Sequence, residues 1–218
     1  MKIKLITLSV FVFALFYAPK LSAQSDPEAK KIVNKVLQKV EAYNNVIISF
    51  RYTLENTTEN VKQETRGDVT IEDDKYVLNL MGTQRIFDGE YIYTIIPEDE
   101  EVIISPYNKD DNNEITPSSM LTFFKDGYDY KMDIVQNNKG RKIQFVKLIP
   151  TDQEKEVKEI LLGIDQQTYH IHNLIQIQDN GTKTEIKVNS FKFNQPLSEI
   201  LFQFNEKKYS NYYINRIK

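Results

Sequence analysis

Residues 27–55 read PEAKKIVNKVLQKVEAYNNVIISFRYTLE, and the fold turns on a change of period inside them. In the first part Ala29, Ile32, Val33, Val36, Leu37 and Val40 fall at i, i+3, i+4, i+7, i+8 and i+11. That spacing is one apolar stripe of an α-helix. Ser25-Asp26-Pro27-Glu28 is its start: Asp26 can cap, Pro27 suits the first helical position, and Glu28 favours the positive end. The opposite face carries Lys30, Lys31, Asn34, Lys35, Gln38 and Lys39, so the stripe must lie on something large and apolar. After Tyr43-Asn44-Asn45 the period drops to two. Ile48, Phe50, Tyr52 and Leu54 then alternate with Ser49, Arg51, Thr53 and Glu55, the mark of a strand with one buried face.

Strand-like runs continue on both sides of the chain's midpoint. Glu64 to Ile71, Lys75 to Met81, Gln84 to Phe87, Tyr91 to Ile96 and Glu101 to Ser105 come first. Tyr130 to Gln136, Arg141 to Ile149, Lys158 to Ile164, His170 to Gln178 and Lys183 to Phe193 follow, with a last run from Leu201 to Phe204. The breaks are short. Glu72-Asp73-Asp74 and Pro97 to Glu100 are turns, and Asp88-Gly89 is a strong hairpin signal. Links this short hold no crossover helix, so neighbouring strands are expected to be antiparallel. Between the halves, Asp110-Asp111-Asn112-Asn113 is a polar loop, and Thr116-Pro117-Ser118-Ser119 starts a short apolar helix through Met120, Leu121, Phe123 and Phe124. The expected fold is mainly β with few helices, an α+β arrangement of about eleven strands. A sheet of that size tends to curl. Its hollow side is buried only if the helix at 26–40 and the segment at 116–124 fill it.

The chain has 218 residues, 40% of them hydrophobic and 27% charged, which is a globular balance. Cys is absent, so disulfides, thiolate metal sites, a cysteine nucleophile and lipidation on cysteine are excluded. Lys2 and Lys4 precede an uncharged run from Leu5 to Ala18, which is short for a membrane span. Pro19 and Lys20 break it, and Leu21-Ser22-Ala23 offers a small residue for cleavage. Residues 1–23 are expected to be a secretory signal peptide, leaving 24–218 as one exported, soluble domain. That leader holds Lys2, Lys4 and Lys20 and no acid, so the remainder has 25 basic against 31 acidic residues, a net of −6. An acidic chain without a basic stripe argues against nucleic acid and against an anionic membrane face.

The order of elements and one stretch of residues resemble a known family. Gly67-Asp68-Val69-Thr70-Ile71, then Lys75-Tyr76, then Ile86-Phe87-Asp88-Gly89-Glu90-Tyr91-Ile92-Tyr93, then Thr116-Pro117-Ser118-Ser119-Met120-Leu121, look like the periplasmic lipoprotein carrier LolA. The resemblance implies an unclosed β-barrel covered by the N-terminal helix and a short helical lid. It implies a monomeric periplasmic carrier in a Gram-negative bacterium, with no cofactor and no chemistry. Its partners would be acylated lipoproteins, an inner-membrane release complex and an outer-membrane receptor. A lipid-sensing or protein-interaction module of the same fold is the alternative. Family members place a basic residue in the turn after the strand matching Gly67–Ile71, where this chain has Glu72-Asp73-Asp74. Arg51, Arg66 and Arg85 are the substitutes on offer, and spacing selects none of them.

The cavity candidates are Phe50, Tyr52, Tyr76, Leu78 and Leu80 on the sheet, and Val33, Val36, Met120, Leu121 and Phe124 on the covering segments. Rings on a rigid sheet offer a broad apolar wall with few rotamers to freeze, and Met suits an adaptable cover. Enzyme motifs are missing: there is no G-x-S-x-G, P-loop or dinucleotide fingerprint. His170 and His172 lie two apart on an expected strand and so share a face, but no third ligand accompanies them and no metal is expected.

Overall fold

The computed structural model describes residues 25–108, 116–152 and 156–217. The expected leader and the polar loop at Asp110–Asn113 lie outside these. Helix α1 (Pro27–Glu41) begins as its residues require, with the Asp26 carboxylate accepting from the backbone N–H groups of Glu28 and Ala29. Its stripe is buried at Ala29, Val33, Val36 and Leu37. Six strands follow as a meander: β1 (Asn45–Asn56), β2 (Val61–Glu72), β3 (Lys75–Leu80), β4 (Thr83–Phe87), β5 (Tyr91–Ile96) and β6 (Glu101–Pro106). A second meander comprises β7 (Tyr128–Asn138), β8 (Arg141–Pro150), β9 (Val157–Asp165), β10 (Ile171–Gln178) and β11 (Lys183–Phe193), and the chain ends in β12 (Tyr213–Arg216).

All twelve form one sheet, in the order β12-β6-β5-β4-β3-β2-β1-β11-β10-β9-β8-β7. The first strand sits near the middle because it pairs with both β2 and β11, so the first meander runs outward from it and the second runs inward from the edge to meet it. Every pairing is antiparallel except β12 with β6. The sheet is curved and open, since β7 and β12 are left as its two edges. Of the runs expected as strands, Leu201–Phe204 is not one. It belongs to a strap from Leu197 to Tyr212 that packs Phe202, Phe204, Tyr209 and Tyr212 on Val77, Ile86, Ile95, Val102 and Ile104 of the outer face. The twelfth strand comes from the tail instead. The segment expected as a short helix at 116–124 is two 3-10 turns, Ser119–Leu121 and Phe123–Lys125, because Thr122 between them leaves the helical region at φ −135°.

Two β-bulges decide which side chains face inward. The β1–β11 register slips between Ser49 and Phe50, leaving Asn189 as the extra residue. Ile186 and Val188 before it and Phe191 and Phe193 after it, of opposite parity in sequence, therefore all reach the inner face. A second slip in β10 lies between Ile171 and Asn173 and does the same for Ile171 and Leu174. The inner face over β7–β10 is filled by α1. Ala29, Val33, Val36 and Leu37 pack with Phe124, Tyr130, Val146, Leu148, Leu162 and Ile164 into one core.

Candidate functional site

The rest of the inner face is not filled. Cross-strand register arranges it in rows. One row runs Phe193, Val46, Ile71, Tyr76, Phe87 and Ile92, from β11 to β5. The next runs Phe191, Ile48, Val69, Leu78 and Arg85. The third runs Val188, Phe50, Gly67 and Leu80. The β3–β5 part of the first row is solid: Tyr76 is 1% exposed, its ring 5.7 Å from that of Phe87, which in turn meets Tyr107 at 4.7 Å; Ile71 of β2 also borders the cavity. Over the second and third rows lies a cavity of about 270 Å³. Ile171, Leu174 and Ile186 form its far wall, and Pro117, Met120 and Leu121 its roof.

The roof is held from one side. Phe124 is fully buried in the α1 core, and the Tyr130 hydroxyl reaches the backbone oxygens of Phe124 at 2.7 Å and Lys125 at 2.8 Å. At the other end Thr116 Oγ1 accepts from the Ser119 N–H at 3.2 Å, and the Ser118 hydroxyl lies 3.5 Å from the Asp74 carbonyl oxygen, a weak tie to the β2–β3 turn. Gly67 shapes the floor. A Cβ there would stand 2.7 Å from Phe50 Cζ and 2.8 Å from the Asn79 carbonyl oxygen, so the bare glycine is what lets the Phe50 ring lie flat across β2.

The structure brings six of the ten candidate residues together on the cavity wall: Phe50, Tyr52, Leu78, Leu80, Met120 and Leu121. Tyr76 lies one row away in the solid layer, and Val33, Val36 and Phe124 are spent on the α1 core. Sequence reasoning missed Ile171, Leu174, Ile186, Val188 and Phe191, which reach the wall through the two bulges. It also left Arg85 as one of three. Arg51 pairs with Glu64 at 3.4 Å across β1 and β2, Arg66 lines a groove on the other side of the sheet, and only Arg85 of the three lines the cavity.

His170 and His172 do not share a site, contrary to their spacing, because the β10 slip between Ile171 and Asn173 leaves His172 as the extra residue. His170 stacks 4.5 Å from Phe191 and has Nε2 2.8 Å from the Tyr43 hydroxyl, whereas His172 Nε2 lies 2.8 Å from Asn138 Nδ2. Burial pushes both imidazoles below their usual range, with Lys39 adding to this at His170 and Lys187 at His172. Among the described residues no three His, Asp or Glu side chains gather as a metal site, and no helix is long and apolar enough to cross a membrane.

An open antiparallel sheet, half plugged by a helix and half left as a roofed apolar cavity, defines a binding protein for hydrophobic ligands. The sequence model of the outer membrane lipoprotein carrier protein LolA matches residues 41–205, and the chain belongs to that family. The match takes in β1 to β11 and leaves out nearly all of α1 and the final strand. Among solved structures, an uncharacterised conserved protein from Thermus thermophilus superposes with a TM-score of 0.54 at 12% identity, covering 87% of this chain and 99% of that one. The Mycobacterium tuberculosis lipoprotein LppX superposes at 0.53 with 14% identity, covering 80% and 99%. At such identities the likeness is one of fold. Comparison with curated protein sequences finds no match.

Proposed function

We propose that this protein is a periplasmic carrier that shields the acyl chains of lipoproteins on their way from the inner to the outer membrane, without catalysing a reaction. The observation that carries the reading is the cavity of about 270 Å³, apolar on nearly every side and covered by Pro117, Met120 and Leu121. An apolar cavity of about 150 Å³ holds one benzene ring. The space here therefore suits a single chain segment of roughly ten carbons. Burying each CH₂ is worth about 0.8 kcal/mol, so such a segment gains on the order of 8 kcal/mol before any cost of ordering. That is micromolar binding at best, which favours a carrier that must also release. A cargo with several chains needs more room, and the loosely tied roof is the part that can lift.

The test is purification of the native protein under mild conditions with mass spectrometry of whatever lipid travels with it. It is paired with an assay of lipoprotein release from spheroplasts into the soluble fraction. Acylated cargo recovered with the protein, and release that depends on it, are expected. A chain that emerges without lipid and leaves lipoprotein on the membrane ends the proposal.

A further inference from the structure

We infer that the cavity is a length gauge: Ile71 closes one end of it, and an acyl chain gains no affinity beyond the carbons that reach that residue. The inference rests on the apolar-cavity reading above and adds to it the residue that sets how much chain is held. Burial falls off along the strands of the inner face. Val46, Ile71, Tyr76 and Phe87, side by side across β1 to β4, are all buried, and Tyr107 and Leu121 pack against the same cluster. In the next row Ile48 and Val69 are buried beside a half-buried Leu78, and in the third Phe50 is buried between a half-buried Val188 and Gly67, with Leu80 half-buried beyond. Further along, Tyr52 and Ile186 are half-buried, and the row after them, Thr184, Leu54 and Gln63, is mixed in polarity and ends in the exposed Gln63. The mouth is therefore at Tyr52, Leu80 and Ile186. The closed end is at Ile71, the one member of the buried row that lines the cavity.

Two dimensions of the cavity agree on the length. Its volume of about 270 Å³ suits roughly ten carbons. From Tyr52 to Ile48 is four residues of β1, about 13 Å at about 3.3 Å each. Ten carbons in extended form, joined by nine C–C bonds, span roughly 11 Å. Each methylene taken out of water raises affinity about fourfold. A methylene that is in water both before and after binding changes nothing. The stop is a close-packed row fixed by strand register, and such interiors have low compressibility. Chains longer than the gauge are thus held as firmly as one that just fills it and no more firmly. Their surplus carbons stay at the mouth, so the grip is the same for cargoes whose chains differ in length.

The experiment uses the protein stripped of lipid, with uncharged N-phenyl-1-naphthylamine as the fluorescent probe in the cavity. The probe is displaced with neutral alkyl maltosides from hexyl to tetradecyl, each below its critical micelle concentration. Affinity is expected to rise about fourfold per carbon up to about ten carbons and to stay level from there. Ile71→Ala vacates the closed end and is expected to move the break to about twelve carbons, and Ile71→Phe fills it and is expected to move the break to about eight. Val77→Ala, a truncation in the core of the outer face, is expected to leave the break where it is. Affinity that keeps rising through the tetradecyl chain overturns the gauge while leaving the apolar cavity standing. So does a break that stays in place in both Ile71 variants. If the probe does not bind, or no maltoside displaces it, both readings fall.

Discussion

At the scale of single residues, periodicity tells which face a side chain takes and not which row. Tyr76, Leu78 and Leu80 alternate identically on β3, yet Tyr76 is sealed against Phe87 while its two neighbours line the cavity. The difference lies in what stands opposite on β2 and β4, and that comes from register, which no local pattern encodes. Gly67 shows the same limit. In the sequence it is a plain strand glycine, a residue that usually weakens a sheet. In the fold it lies, bare of a side chain, directly against the Phe50 ring. Gly67→Ala places a methyl group where the ring lies, and the backbone oxygen of Asn79 blocks its escape. The ring must swing into the cavity. A loss of about 1–3 kcal/mol in urea denaturation is expected from the overpacking, together with weaker uptake of a long-chain probe. Unchanged stability and unchanged uptake would show that the Phe50–Gly67 contact does not shape the floor.

At the scale of elements, the helix was fully legible: cap, proline, stripe and charged face all agree, and α1 lies where they place it. The hairpins announced by Glu72-Asp73-Asp74 and Asp88-Gly89 are equally local, the second closed by the Asp88 carboxylate on the N–H groups of Glu90 and Tyr91. What local signals could not supply is the strap, whose Leu201–Phe204 run is as apolar as a strand but finds its partners on the outer face instead of in a ladder. The β11 bulge was within reach, since Ile186 and Val188 are even and Phe191 and Phe193 odd, a parity break that forces one extra residue. The segment at 116–125 divides its labour along its length, and two substitutions separate the parts. Phe124→Ala removes a fully buried ring from the α1 core, with an expected loss of about 3–5 kcal/mol. Met120→Ala removes a half-buried roof side chain, with an expected loss under about 1 kcal/mol and a clear fall in acyl-probe affinity. Chemical denaturation and probe titration on both variants decide this. A Met120→Ala protein that is badly destabilised, or one that binds as before, would mean that the roof is ordinary core.

At the scale of the molecule, the open sheet is covered in three different ways. A helix fills the inner face over β7–β10, the C-terminal strap covers the outer face over β3–β6, and the inner face over β1–β4 and β11 keeps its cavity. A protein that needed only stability would have closed that last region, because apolar interiors pack densely and a void forfeits contact energy. The vacancy is therefore the costly feature of the fold, and filling it should separate stability from ligand binding. Val69 and Val188 face the cavity from adjacent rows, Val69 being 6% exposed. Val69→Phe and Val188→Phe place rings in space that is already empty, so the usual overpacking penalty is offset by new contacts. Each variant, and more so the pair, is expected to melt no lower than the unaltered protein and to bind long-chain probe at least about tenfold more weakly. Thermal denaturation with and without a saturating acyl ligand reads both at once, since a ligand at about a hundred times its dissociation constant adds about 2.7 kcal/mol to a competent site and nothing to a filled one. If the filled protein keeps its ligand-induced rise in melting temperature, the chains bind somewhere other than beneath Pro117 and Met120.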